Sequence, residues 1–253
     1  MTAYWLETAT WPEIDDWFKR GLTVVVPVSA ICKAHGYHLP MNTDWLIGRD
    51  LVRRIGEQTD VLVAPNVGFG YYNAFVEFPG SLHISGETMA DLVRQLIRGL
   101  HRQGARRCLI LNLGLSTEYA LNLAAGDLTD QDGIPVALAH IRLLGQTARA
   151  RVLENRVGTH ANEGETSMVL AIDPSVVRME LARPEIQPWM HERSPIMERT
   201  PLRRDPARAR TGLGKLSPSS VIGDPTRATA EKGEAILAEM AAEVVAFLRE
   251  WDT

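Results

Sequence analysis

The sequence predicts an α/β fold: a single domain with a largely parallel central sheet flanked by helices. Two observations carry this. Short apolar runs bounded by turn residues, at Leu22–Val28, Val61–Pro65, Arg107–Asn112 and Ile134–Leu138, read as buried strands. Between them lie stretches whose apolar residues recur at helical spacing, and a β–α–β–α alternation is the pattern of a parallel sheet with helices on both faces. The length, 253 residues, suits one such domain with its own core and does not demand two.

In chain order, Trp5, Trp11 and Trp17 stand at six-residue spacing, which fits neither helix nor strand, so a short strand followed by a helix begun at Pro12 is expected. After the first buried strand, Trp45–Ile55 has helical spacing, with Asp44 placed to cap it. The second strand opens into a loop, Asn66–Ser81, rich in Gly, Tyr and Phe; its length points to binding. Glu87–Gln103 is an amphipathic helix with Met89, Leu92, Val93, Leu96, Ile97 and Leu100 on one face, stopped by Gly104. Arg142–Val157 reads as a polar helix or ordered excursion. Met168–Ile172 is an apolar helical run, and Ala228–Leu248 is a long closing helix. Residues 183–220 carry Pro184, Pro188, Pro195, Pro201, Pro206 and Pro218 in an Arg-rich stretch, expected to be an oligomer-contact arm or a flap to which Trp189 and His191 contribute.

The net charge of −4 gives no nucleic-acid footprint. No apolar run reaches the roughly 18 residues of a membrane span, and the acidic, Trp-rich start is not a signal peptide. Two cysteines, Cys32 and Cys108, are too few for a disulfide framework. A cytoplasmic protein with a small-molecule substrate, and neither nucleic acid nor membrane as partner, is the expectation.

Two clusters carry the chemistry. Pro27–Asp44 reads P-V-S-A-I-C-K-A-H-G-Y-H-L-P-M-N-T-D and follows the first buried strand; His160–Ser167 reads H-A-N-E-G-E-T-S and precedes a helix. Ligands in open α/β sheets gather at the C-terminal ends of strands, and imidazole with carboxylate there suits Zn²⁺ or Mn²⁺. A core histidine at His38 and a helix cap at Asp44 are the plainer readings.

Together the clusters resemble the creatininase (creatinine amidohydrolase) family, whose signatures have the forms P-V-G-S-x-E-Q-H-G-P-H-L-P-x-x-T-D and H-A-G-E-x-E-T-S. Phe78–Ser81, similar to the family's F-P-G-T, and Ile222–Pro225 with Ala230–Gly233 agree with them, in the same order. The resemblance implies a homo-oligomer, often a hexamer, and two divalent ions sharing one aspartate. One ion's set is carried over as His35, Asp44 and Glu163. The other set is broken, because its glutamate position falls on Lys33 and its histidine position on Gly114. An ammonium repels a cation and cannot ligate it while protonated, yet it restores positive charge beside Asp44. The expectation is therefore one divalent ion, Zn or Mn, with Lys33 in place of the other, or no metal at all.

The catalytic candidates are Lys33, His38, His160 and Glu165: Glu165 or His160 as general acid or base, His38 positioning the substrate, and Lys33, in a metal-free variant, as base or imine former. Tyr37, Tyr71, Asn73 and Trp189 are the substrate-binding candidates. The reaction implied is hydrolysis of a cyclic or linear amide-like C–N bond, or its reversal by dehydrating ring closure. A metal-independent cyclase or lyase using Lys33 and a non-catalytic structural subunit are the alternatives.

Overall fold

In the computed structural model, which describes residues 2–155, 157–187, 202–204 and 215–252, five strands form one parallel sheet. They are β1 (Ala3–Trp5), β2 (Val24–Val28), β3 (Val61–Val63), β4 (Cys108–Asn112) and β5 (Val136–His140), in the order β1-β3-β2-β4-β5. The helices are α1 (Trp11–Lys19), α2 (Thr43–Gln58), α3 (Gly86–Arg102), α4 (Glu118–Asp130), α5 (Gln146–Val152), α6 (Glu163–Ile172) and α7 (Ala230–Trp251). The α/β class and every expected strand are present.

The central strand β2 shows why the sheet is covered on both sides. Its five residues are all buried, and alternate side chains point to opposite faces. Val25 joins one core with Leu109, Leu111, Ile47, Leu51, Met168 and Met240, whereas Val24, Val26 and Val28 join another with Cys108, Ile110, Met89 and Val93. Helices α2, α6 and α7 thus pack one face and α1, α3 and α4 the other. Each fully buried Leu, Ile or Met contributes about 1.5–3 kcal/mol.

Capping residues set the helix starts. Thr10 and Glu13 form a capping box for α1, with Pro12 in its first turn. Ser85, Asn162 and Thr229 cap α3, α6 and α7 through their side chains. Asn162 starts α6 at Glu163, five residues before the apolar run alone suggests. Helix α5 is shorter than Arg142–Val157, since Leu153 already has extended backbone. Helix α6 is pressed against α7 at Gly233, where a Cβ would lie 1.9 Å from the Ser167 carbonyl oxygen.

Of the Pro- and Arg-rich stretch, the described part holds a two-stranded parallel pair, β6 (Leu202–Arg203) with β7 (Lys215–Leu216). Trp189 and His191, expected to contribute to a flap, lie outside the described residues. Among the described residues no helix is long and apolar enough to cross a membrane.

Candidate active site

The segment that leaves β2 is fastened before it reaches the first cluster. Ile31 N–H donates to the Gly68 carbonyl, Lys33 N–H to that of Met41, Ala34 N–H to Ser81 Oγ and Gly36 N–H to Ser220 Oγ, at 2.9–3.1 Å. Gly36 has φ +74°, and a Cβ there would stand 2.8 Å from both His38 Nδ1 and Val221 Cγ2, so only glycine fits. The backbone therefore holds Lys33 and His35 in place without help from a ligand. The second cluster meets it through residues 220–222: the backbone of His160 pairs with that of Ile222, and Ser220 Oγ accepts from Gly36 N–H.

At the centre lies Asp44, 2 % exposed. Lys33 Nζ is 2.5 Å from its Oδ2 and His35 Nε2 is 2.9 Å from its Oδ1. Burial by itself would raise the Asp44 pKa, but the Lys33 ammonium and then His35 overrule it and hold the carboxyl well below the usual carboxylate range. Asp44 stands in the first turn of α2 but caps nothing, since its oxygens belong to Lys33 and His35.

His160 stacks 4.4 Å from His35 on one side and 4.4 Å from Phe75 on the other. Its Nε2 lies 2.7 Å from the Ala34 carbonyl oxygen, and its Nδ1 is 3.7 Å from Glu165 Oε2. Burial, then His35 and Lys33, push the His160 pKa well below the ordinary histidine range, so its imidazole is neutral. A neutral ring that donates from Nε2 to Ala34 presents a lone pair at Nδ1. His35 has the same arrangement with its nitrogens exchanged: Nδ1 is 2.8 Å from the Lys33 carbonyl oxygen and Nε2 faces Asp44. Its ring is thereby fixed at both nitrogens.

These donors fit a divalent ion. Each imidazole has one nitrogen anchored on a backbone carbonyl and the other turned towards a carboxylate, as histidine ligands of metals do. Ligand atoms of His35, His160 and Glu165 lie within 4.8 Å of one another, the only such group among the described residues. On the far side of Asp44 stands Lys33, and position 114, where the resemblance expects a histidine, is glycine.

Glu163, expected in this set, is turned away from it. Its carboxylate, 0 % exposed, accepts from Lys232 Nζ at 2.6 Å and from the N–H groups of Asn155 at 2.7 Å and Glu154 at 3.2 Å. The reason is helical phase: positions two apart on a helix point about 200° apart, so only one of Glu163 and Glu165 can face His160. Glu165 does, and the Ala161 N–H holds its Oε2 at 2.5 Å.

A cavity of about 460 Å³ adjoins the cluster. Lys33, His160 and Glu165 line it, with Phe75, Leu113, Ile141 and Leu153 supplying apolar wall and Asn155, Asn162 and Arg149 polar wall. Several substrate-binding candidates stand elsewhere. Tyr37 is 61 % exposed and donates to the Pro218 carbonyl, while Tyr71 packs on His83. Neither they nor Asn73 line the cavity; the neighbours of Asn73, Ala74 and Phe75, do. His38 is buried beneath it, with Nε2 2.9 Å from Thr166 Oγ1, and burial lowers its pKa to about 4. Its place is structural rather than against a substrate. Glu118 is held by Arg142, outside the cluster. Arg149 is the residue least visible in the sequence, because only the packing of α5 against α7 and of its own side chain against the start of α6 brings it to the cavity.

Comparison with known proteins bears on the family and the fold. A family model described as creatinine amidohydrolase matches residues 7–248. The creatinine amidohydrolase of Pseudomonas putida is 29 % identical over 189 residues, covering 68 % of this chain and 72 % of that one. The mycofactocin precursor peptide peptidase of Mycobacterium ulcerans (strain Agy99) is 28 % identical, covering 96 % of this chain and 87 % of its own. A solved structure described as "Creatininase Mn" superposes with a TM-score of 0.81 at 23 % identity over 99 % of both chains. A mutant creatininase of the Zn-Zn type gives 0.79 at 23 % identity, again over 99 % of both chains.

Proposed function

The chain belongs to the creatininase family, and from that premise we propose that it is an amidohydrolase acting on an amide-like C–N bond of a small molecule at a site for one divalent ion, Zn or Mn. Ring closure by the reverse dehydration uses the same groups. The observation that carries this reading is the 2.5 Å contact between Lys33 Nζ and Asp44 Oδ2. It puts a side-chain cation where the family resemblance implies a metal ion, and leaves His35, His160 and Glu165, with Asp44 beside them, to hold the other.

When bound, such an ion supplies carbonyl polarisation and a water whose pKa is lowered towards neutrality. The chain's own groups do the rest. Lys33 spends one N–H on Asp44 and lines the cavity, so its remaining donors can receive the oxygen on which negative charge develops. Glu165 is the carboxylate at the cavity wall placed to take up a proton. Phe75, 5.5 Å from the ammonium and stacked on His160, keeps this end of the cavity dry. A lysine committed as an ammonium to Asp44 has no lone pair for imine formation, which favours this reading over the metal-independent one. A homo-oligomer, hexameric by resemblance, belongs to the same proposal, and the exposed Trp11, Tyr119 and Leu123 support it.

Elemental analysis of protein reloaded with Zn²⁺ or Mn²⁺ tests the reading. One ion per chain is expected, lost in Glu165→Gln and His160→Ala. Two ions per chain, or none, would refute it.

A further inference from the structure

Arg149 lines the cavity wall and takes no part in the proposed chemistry. It sits in α5 and reaches over the start of α6, where a Cβ on Gly164 would stand 3.1 Å from its Nη1. A guanidinium offers five N–H donors. Here Nε donates to the Leu144 carbonyl at 3.3 Å, and Nη2 has only the thioether sulfurs of Met240 and Met168, at 3.9 and 4.0 Å. Among the described residues Nη1 has no acceptor and the group has no carboxylate within ion-pair distance. Arg142, on the same wall, differs: Glu118 already grips it with two oxygens.

A half-buried cation left without a carboxylate is costly to keep. Burial lowers the Arg149 pKa, and attraction from Glu165 and Glu243 offsets this only in part. Leu113, Ile141 and Leu153 line the same cavity as Arg149, Lys33 and Glu165. A planar fork with free donors in the cavity that holds the reactive cluster is suited to receive a carboxylate.

We infer that Arg149 is a specificity-determining residue that binds a carboxylate on the substrate, so that the substrate class is an amide bearing a free carboxylate. This rests on the proposed amidohydrolase reading for where the reacting carbonyl lies.

The test is calorimetric titration of the metal-loaded full chain with N-acetyl-L-leucine and with N-acetyl-L-leucinamide, which differ only in the carboxylate. Wild-type protein should bind the acid at least tenfold more tightly. Arg149→Gln should bring the two affinities within about twofold, and Arg149→Lys should retain an intermediate preference. Equal binding of both probes by the wild type, binding of neither, or a preference undiminished in Arg149→Gln overturns the inference; the last result would place the carboxylate on the ion. Metal content is measured on the same samples, with thermal melting to establish folding. One ion per chain without an Arg149-dependent preference sinks this inference and leaves the amidohydrolase reading standing. An Arg149-dependent preference without a bound ion does the reverse.

Discussion

Replacing Lys33 by methionine removes one charge from the most buried ion pair of the site and changes little else in volume. At 2.5 Å, and with an effective dielectric of about 20, the gross attraction between the two charges is about 7 kcal/mol. Both partners were desolvated to form it, so the net loss is smaller. Removing one member of a buried pair costs about 3–5 kcal/mol, because the other stays buried and uncompensated. His35 remains on Asp44 Oδ1, which places the expectation for metal-free protein near the lower end, about 3 kcal/mol. Urea unfolding of the metal-free forms measures it as a fall in midpoint at constant slope. Lys33→Met combined with Asp44→Asn should recover most of the loss, since no charge is then stranded. A single variant within about 1 kcal/mol of wild type, or a double variant as unstable as the single, would refute the view that Lys33 takes the place of a cation.

Other expectations follow from the same geometry. Glu163→Gln should cost about 2–4 kcal/mol, by breaking a buried charged contact with Lys232, yet keep its metal; Glu165→Gln should lose metal at nearly unchanged stability. Paired elemental analysis and unfolding of the two separate these roles. His38 titrates at about 4 in the folded chain, against about 6.5 unfolded, so between those values the unfolded chain binds more protons. Stability is then full above pH about 6.5 and falls by up to about 3 kcal/mol as pH drops to about 4; His38→Gln should flatten that slope in unfolding measured across pH 4–7. Gly233→Ala should force α6 and α7 apart, with a loss of about 3 kcal/mol or more and a drop in metal content, both read on one purified sample.

Much of the fold was legible because strands covered on both faces must be apolar throughout, as in Val24–Val28 and Cys108–Asn112. Helix ends were less so. Asn162 and the extended backbone at Leu153 move boundaries that periodicity alone misplaces. In the site, the Lys33, His35 and Asp44 grouping follows from nearness in sequence, and the structure brings the three together. The choice between Glu163 and Glu165 depends on helical phase relative to a distant loop, which a motif does not contain. Tyr37 is adjacent to Gly36, whose left-handed backbone turns the chain there, and it lies outward on the surface. Arg149 has no local signature at all, since its neighbours at the cavity come from residues 75, 113 and 141.

The amine of residue 33 is joined to the chain by covalent bonds, so it cannot be stripped by a chelator, exchanged for a rival metal or diluted away. About a quarter of the positive charge that two divalent ions would bring is here synthesised with the polypeptide. Starvation for metal should therefore silence such a protein without loosening its architecture, and resupply should restore it by filling a single vacancy rather than by rebuilding a paired centre.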